Sequence, residues 1–176
     1  MRAMTRHLLI TCLSVFSAAG CAAPLPPIAP VSQVDIPRYM GDWYVIASIP
    51  TRQEKGAVNA IESYVLLPDG TIQTTFRFRH DSPDGALKIM HAKGYVRDGT
   101  NGAVWGMQFI WPIKAEYIIA WLDRDYRTVI VARNKRDYVW IMARSRTIPD
   151  GQYQVLVSRV AALGYDASQL RKVPQQ

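Results

Sequence analysis

Eight short runs of alternating apolar and polar residues, each ended by turn chemistry, constrain this chain more than any other feature. They run from Asp42 to Pro50, Ala60 to Leu67, Thr71 to His80, Leu87 to Arg97, Ala103 to Trp111, Ala115 to Asp123, Arg127 to Arg133 and Asp137 to Arg144. Side chains along a strand point to opposite faces in turn, so a period of two marks a half-buried strand. The connections hold Pro68-Asp69-Gly70, Ser82-Pro83-Asp84-Gly85, Asp98 to Gly102, Pro112 to Lys114, Asp123 to Tyr126 and Asn134 to Arg136, residue types that turns select. Connections this short make sequential strands neighbours in an antiparallel meander. The expected fold is all-β, an eight-stranded up-and-down barrel, because closure removes the exposed edges of an open sheet.

Beyond the last strand, Pro149 and Asp150 start a helix. Its Tyr153, Leu156, Val157, Val160 and Leu163 form one apolar stripe that stops at Gly164. An isolated helix of this length is marginal in water, so the stripe is expected on the outer wall of the barrel. Tyr165 to Val173 reads as an extended tail.

The amino terminus is of another kind. Arg2 and Arg6 precede an apolar run from Leu8 to Phe16 and the small residues Ser17 to Gly20, the layout of a secretory signal peptide occupying residues 1–20. The run is too short to span a bilayer. Small residues just ahead of Cys21 resemble the lipobox of bacterial lipoproteins. Cys21 is therefore expected to be lipidated, the alternative being an ordinary signal peptide followed by an incidental cysteine. Cys12 falls in the removed segment, so no disulfide is available to the mature chain. Residues 21–33 carry Pro24, Pro26, Pro27 and Pro30, a semi-rigid spacer ahead of a domain over residues 34–176. Removing Arg2 and Arg6 with the signal leaves 19 basic residues against 14 acidic ones, a net +5. That balance admits anionic partners without requiring them, and no nucleic-acid-binding motif is present.

A barrel that rises from Trp43 and returns at Arg144 brings both residues to one end. There Trp43 plugs the base and Arg144 lies over its indole. With Trp43 inward, parity puts Val45, Ala47 and Ile49 inward; with Arg144 inward, Met142, Trp140 and Tyr138 follow. By the same alternation Glu62, Tyr64, Phe76, Phe78, Trp105, Met107 and Phe109 face the interior. Together, Val45, Ala47, Glu62, Tyr64, Phe76, Phe78, Trp105, Met107, Phe109, Tyr138, Trp140 and Met142 are the candidate ligand contacts.

The residues alone leave two readings open, a ligand cavity or a barrel filled by its own aromatics. Glu62 is the single acid expected inside, where an unpaired carboxylate is costly. It pairs with Tyr138 or a ligand hydroxyl, or it sits where solvent reaches it near the mouth. Around that mouth Arg52, Lys55, Arg77, Arg79, Lys114, Arg133, Lys135 and Arg136 outnumber Glu54, Asp81, Asp84, Glu116 and Asp137. This excess either attracts anionic head groups or is an ordinary solvated rim. The turn Trp111-Pro112-Ile113 is an apolar rim element suited to a membrane or a lid. His80 and His91 have no partners at metal-ligand spacing, and no catalytic constellation, metal site or cofactor is expected.

Gly41-Asp42-Trp43-Tyr44 resembles the GxW signature of the lipocalins, and Trp140 to Ser145 resembles their third motif. Asp123 and Tyr126 match part of the second motif, where Leu122 and Arg124 depart from the usual Thr and Tyr. The resemblance is nearest to bacterial outer-membrane lipoproteins of this family and its apolipoprotein D-like members, over Val34 to Pro174. It implies structural roles for Gly41, Trp43, Asp123 and Arg144, and pocket positions for Tyr64, Phe76 and Trp140, so it favours the cavity reading. It further implies a small hydrophobic ligand such as a fatty acid or lysophospholipid, held for lipid storage, transport or membrane maintenance. With the acylated Cys21, and Ala22 after it, the expected location is the outer membrane facing the periplasm. Two other functions stay open: a lipid- or isoprenoid-modifying enzyme using the same barrel, and a structural docking lipoprotein whose cavity is incidental.

Overall fold

The computed structural model describes residues 24–176, and the segment expected to be a signal peptide, with Cys21, lies outside the described residues. All eight expected strands form, each within three residues of its expected bounds: β1 Gly41–Ile49, β2 Ala57–Leu66, β3 Ile72–His80, β4 Leu87–Val96, β5 Val104–Ile110, β6 Ile113–Leu122, β7 Thr128–Ala132 and β8 Val139–Ala143. A one-turn helix α1, Ile36–Tyr39, precedes them, and α2, Asp150–Ala162, with a two-residue strand β9, Arg171–Lys172, follows. Each strand pairs antiparallel with the next, and β1 pairs with both β2 and β8, which closes the barrel.

Alternation divides the apolar residues into two cores. Trp43, Val45, Tyr64, Phe76, Trp105, Tyr117, Val129, Val131 and Met142 share the barrel interior. Ile118, Ile130, Val139 and Ile141 form an outer cluster with Leu156 and Val160 of α2, which are fully buried. The helix packs outside the barrel as its stripe requires. Gly164, at φ +90°, ends it; its N–H donates to Ala161 O and that of Tyr165 to Val160 O, a Schellman cap that only a residue tolerant of positive φ allows cheaply.

One expectation fails on β1. Val45 lies opposite Met142 but Ala47 lies opposite Ile141, so Ile46 is an extra residue, a β-bulge. The bulge reverses the parity of everything after it. Ala47 and Ile49, expected inside, belong to the outer cluster beneath α2.

The bulge also opens a seam. β1 and β2 pair from Gly41 to Tyr44 and then diverge, and the carboxyl-terminal tail fills the gap. β9 pairs with Ala47 and Ser48, Val173 N–H donates to Ile46 O, and Asn59 N–H donates to Pro174 O. The Gln175 amide Nε2 then donates to Val45 O at 2.9 Å and Ala60 O at 3.0 Å, one from each side of the seam. These bonds occupy edge groups that separated strands would leave unpaired. The tail expected to be merely extended is thus a structural part of the wall. The spacer, too, is seated on the barrel: Pro26 O accepts from Arg136, Ile28 is buried, and Val31 N–H donates to Ile119 O.

Candidate functional site

The three sequence motifs meet at the base. Trp43 is fully buried, and its Nε1 donates to Tyr39 O at 2.9 Å. The Arg144 guanidinium lies 3.8 Å from the Trp43 ring centre. It also donates to the carbonyls of Asp42, Arg38, Tyr39, Met40 and Tyr126 at 2.8–3.3 Å. Arg144 is therefore a clamp on five backbone acceptors as well as a cation over an aromatic face. Gly41, at φ +91°, owes its identity to this left-handed backbone, which L side chains rarely adopt. The Asp123 carboxylate accepts from the N–H groups of Asp125, Arg127 and Thr128 and from the Thr128 hydroxyl. Burial alone would raise its pKa, and these donors outweigh burial and hold it below the usual carboxylate range.

Above the base the lower half of the interior is solid. Trp105 stacks on Tyr117 at 4.8 Å between ring centres, and Tyr39 and Tyr64 meet Trp105 edge-on. The Tyr117 hydroxyl lies 2.8 Å from that of Tyr39 and 2.7 Å from that of Tyr64, so three buried phenols satisfy one another.

The upper half holds the cavity. It is bordered by Phe76, Met90, Met107, Phe109 and Trp140 on its apolar sides, by Glu62 and Tyr117 below, and by Thr51, Glu54, Arg133 and Tyr138 toward the mouth. Of the twelve expected contacts, Glu62, Phe76, Met107, Phe109, Tyr138 and Trp140 border it. Val45, Tyr64, Phe78, Trp105 and Met142 face inward but are packed into floor and wall, and Ala47 lies outside. Tyr117 and Met90, which the sequence reading passed over, sit on inward-facing positions of β6 and β4. The alternation Ala115-Tyr117-Ile119 was the available signal for Tyr117.

Free space inside is about 90 Å³, well below the roughly 300–1,000 Å³ of a pocket for a drug-sized ligand. A wider cleft of about 810 Å³ lies beside it at the rim, between the diverged ends of β1 and β2 and the tail Arg171 to Pro174. Glu54 and Tyr138 border both spaces. Glu54 belongs to a 3₁₀ turn, Arg52–Glu54, capped by Thr51, and its Oε2 accepts from Trp140 Nε1 at 3.1 Å. This one bond pins the β1–β2 connection across the cavity entrance. No pattern in the sequence marks Glu54 as a latch, since its partner is 86 residues away.

The polar groups of the cavity divide by depth. Burial pushes the Glu62 pKa up to about 7; the charge of Glu54 adds to the rise and the Tyr64 hydroxyl opposes it. Glu54 is likewise raised by burial, against the Trp140 and Thr51 hydrogen bonds. At the mouth, Arg133 pairs with Asp137 at 3.3 Å through Nη1. Its Nε is buried and finds no partner among the described residues. The floor thus disfavours an anion, whereas the entrance offers a guanidinium donor.

A family model described as a lipocalin-like domain matches residues 34–175. Temperature-induced lipocalin-1 of Arabidopsis thaliana is 32% identical over 154 residues, 82% of this chain and 81% of its own. Outer membrane lipoprotein Blc of Escherichia coli (strain K12) is 29% identical over 170 residues, 96% of each chain. Among solved structures, insecticyanin from the tobacco hornworm Manduca sexta superposes with a TM-score of 0.66 at 16% identity over 84% of each chain, a likeness of fold alone.

Proposed function

The chain belongs to the lipocalin family, and from that premise we propose that it binds a single-chain amphiphile, a fatty acid or lysophospholipid, with its tail on the cavity floor and its head at Arg133. The observation that carries this reading is the polarity of the cavity along its axis: apolar walls of Phe76, Met90, Met107 and Trp140, a carboxyl held partly neutral below, and an unpartnered buried guanidinium N–H above. An anionic head placed on the floor would face the Glu62 carboxyl; at the entrance, once the turn that carries Glu54 has swung away, it completes Arg133. Loading requires the Thr51–Glu54 turn to swing away from Trp140, which joins the inner space to the rim cleft. Apolar contact supplies most of the affinity, at about 25 cal/mol per Å² buried, and Arg133 selects the head.

The same reading gives the chain a signal peptide over residues 1–20, an acylated Cys21 and a linker to residue 33, at the outer membrane facing the periplasm. Its support is the lipobox-like sequence and the relative named as an outer membrane lipoprotein. The role is binding for storage, transport or membrane maintenance, without catalysis. The test is mass spectrometry of organic extracts of the purified protein, followed by titration of the delipidated protein with palmitate and lysophosphatidylcholine. Stoichiometric lipid, a change in tryptophan emission and a selective loss of palmitate affinity in Arg133→Ala support the proposal. Absence of extractable lipid together with no heat on titration overturns it in favour of a docking module, and appearance of a modified lipid would identify an enzyme.

A further inference from the structure

At the mouth, the β5–β6 hairpin carries the most exposed apolar side chains among the described residues. Ile110 is 73% exposed, Trp111 82% and Ile113 70%, and Leu87 and Ile89 at the top of neighbouring β4 are half exposed. A contiguous apolar patch of this kind marks an interaction surface rather than the scattered exposure of a soluble protein. The barrel core at β5 is made by Trp105 and Met107, and the patch takes no part in it. Around the same end stand Arg52, Lys55, Lys88 and Lys135, all exposed and none in an ion pair among the described residues, against the two exposed acids Asp81 and Asp84.

The path of the amino-terminal segment is a separate observation. Val34 N–H donates to Asn101 O in the β4–β5 connection at the base, and the chain leading to it comes down the outside of the barrel. Ile28 N–H donates to Asn134 Oδ1 and Pro26 O accepts from Arg136, and both partners belong to the β7–β8 connection at the mouth. The described chain therefore begins at the mouth end of the barrel. The three residues from Cys21 to Ala23 reach at most about 10 Å at about 3.3–3.6 Å each.

We infer that the mouth is a docking face for an anionic phospholipid bilayer. Ile110, Trp111 and Ile113 enter the headgroup boundary, the four basic residues meet lipid phosphates, and the cavity opens onto the leaflet that holds the anchor. Tryptophan at the boundary and cations at the surface are what such an interface rewards. The orientation rests on the reading of Cys21 as the anchor; the patch and its basic border do not. A ligand then passes between leaflet and barrel without crossing water.

The test uses the full acylated chain in vesicles of equal parts phosphatidylethanolamine and phosphatidylglycerol with brominated acyl chains, which quench tryptophan at short range. A quenched component should be present, absent in Trp111→Phe, and lost in the pair Ile110→Ser, Ile113→Ser. The unlipidated Cys21→Ser chain should bind the same vesicles, at least about tenfold more weakly once Ile110, Trp111 and Ile113 are all serine, and less at high salt. Acylated protein with no Trp111-dependent quenching overturns the orientation. Unaltered vesicle binding by the triple variant overturns the docking face, as does a fall in that variant's sedimentation mass without vesicles, which would assign the patch to a second copy of the chain. Lysophosphatidylcholine titration of Cys21→Ser in solution reads the cavity alone, so loss of that signal with quenching intact removes the ligand proposal and leaves the docking face standing.

Discussion

Glu62→Gln tests the energetics of the cavity floor most directly, because it keeps the shape of the side chain and removes its titration. Burial raises the Glu62 pKa from 4.5 to about 7. An acid raised on folding is protonated in both states below the lower value, so there it costs nothing. Between 4.5 and 7 the unfolded chain ionises while the folded one does not, and stability falls until both are charged. At about 1.4 kcal/mol for each factor of ten in proton affinity, the full loss above pH 7 is about 3 kcal/mol. Glutamine escapes this loss. Urea unfolding at about pH 4 should show the two proteins alike, and at about pH 8.5 the variant should be more stable by about 2 to 3 kcal/mol. For a domain of this size that is about 5 to 10 °C in Tm. Every other titrating group is common to both proteins, so the difference curve reports Glu62 together with its coupling to Glu54. A flat difference across this range, or a variant weaker at alkaline pH, would refute the argument that Glu62 is desolvated.

Further expectations follow from the same geometry. Trp43→Ala should cost about 3 to 5 kcal/mol by denaturant unfolding, and Arg144→Lys about 2 to 4 kcal/mol, since an ammonium cannot serve five carbonyls at once; a negligible lysine effect would reduce Arg144 to a cation over an indole. Ala47→Leu should overpack the outer cluster and cost about 1 to 3 kcal/mol while leaving lysophosphatidylcholine affinity within about twofold; loss of affinity with unchanged stability would return Ala47 to the interior. Trp140→Phe removes the donor to Glu54, so hydrogen exchange at residues 51–56 should accelerate and stopped-flow loading should quicken several-fold; unchanged exchange would show that the bond is no latch. Lysophosphatidylcholine keeps its charge through neutrality, and its tail buries Glu62 further. Calorimetry should therefore show tighter binding below pH 7 than above it, and a pH-independent Kd would place the tail away from Glu62.

The amino-acid sequence by itself determined the eight strands, their order, the outer helix and the base built on Trp43 and Arg144. These follow from alternation, turn chemistry and a helical stripe, all of which act between residues close in the chain and are legible without a partner. The inward parity expected on β2, β3 and β8, and on β1 as far as Val45, is the one the barrel adopts. The bulge at Ile46 turns Ala47 and Ile49 outward, and it is defined by the register against β8, which no local pattern on β1 records. Tertiary structure alone decided how the interior is shared. Tyr39, Tyr64, Trp105 and Tyr117 come from four separate segments, and only their summed volume and mutual hydrogen bonds fill the lower half and leave the cavity above. The seam sealed by Gln175 and the latch between Glu54 and Trp140 are of the same kind. Each joins groups far apart in the chain, and its energy exists only once closure of the barrel has brought them together.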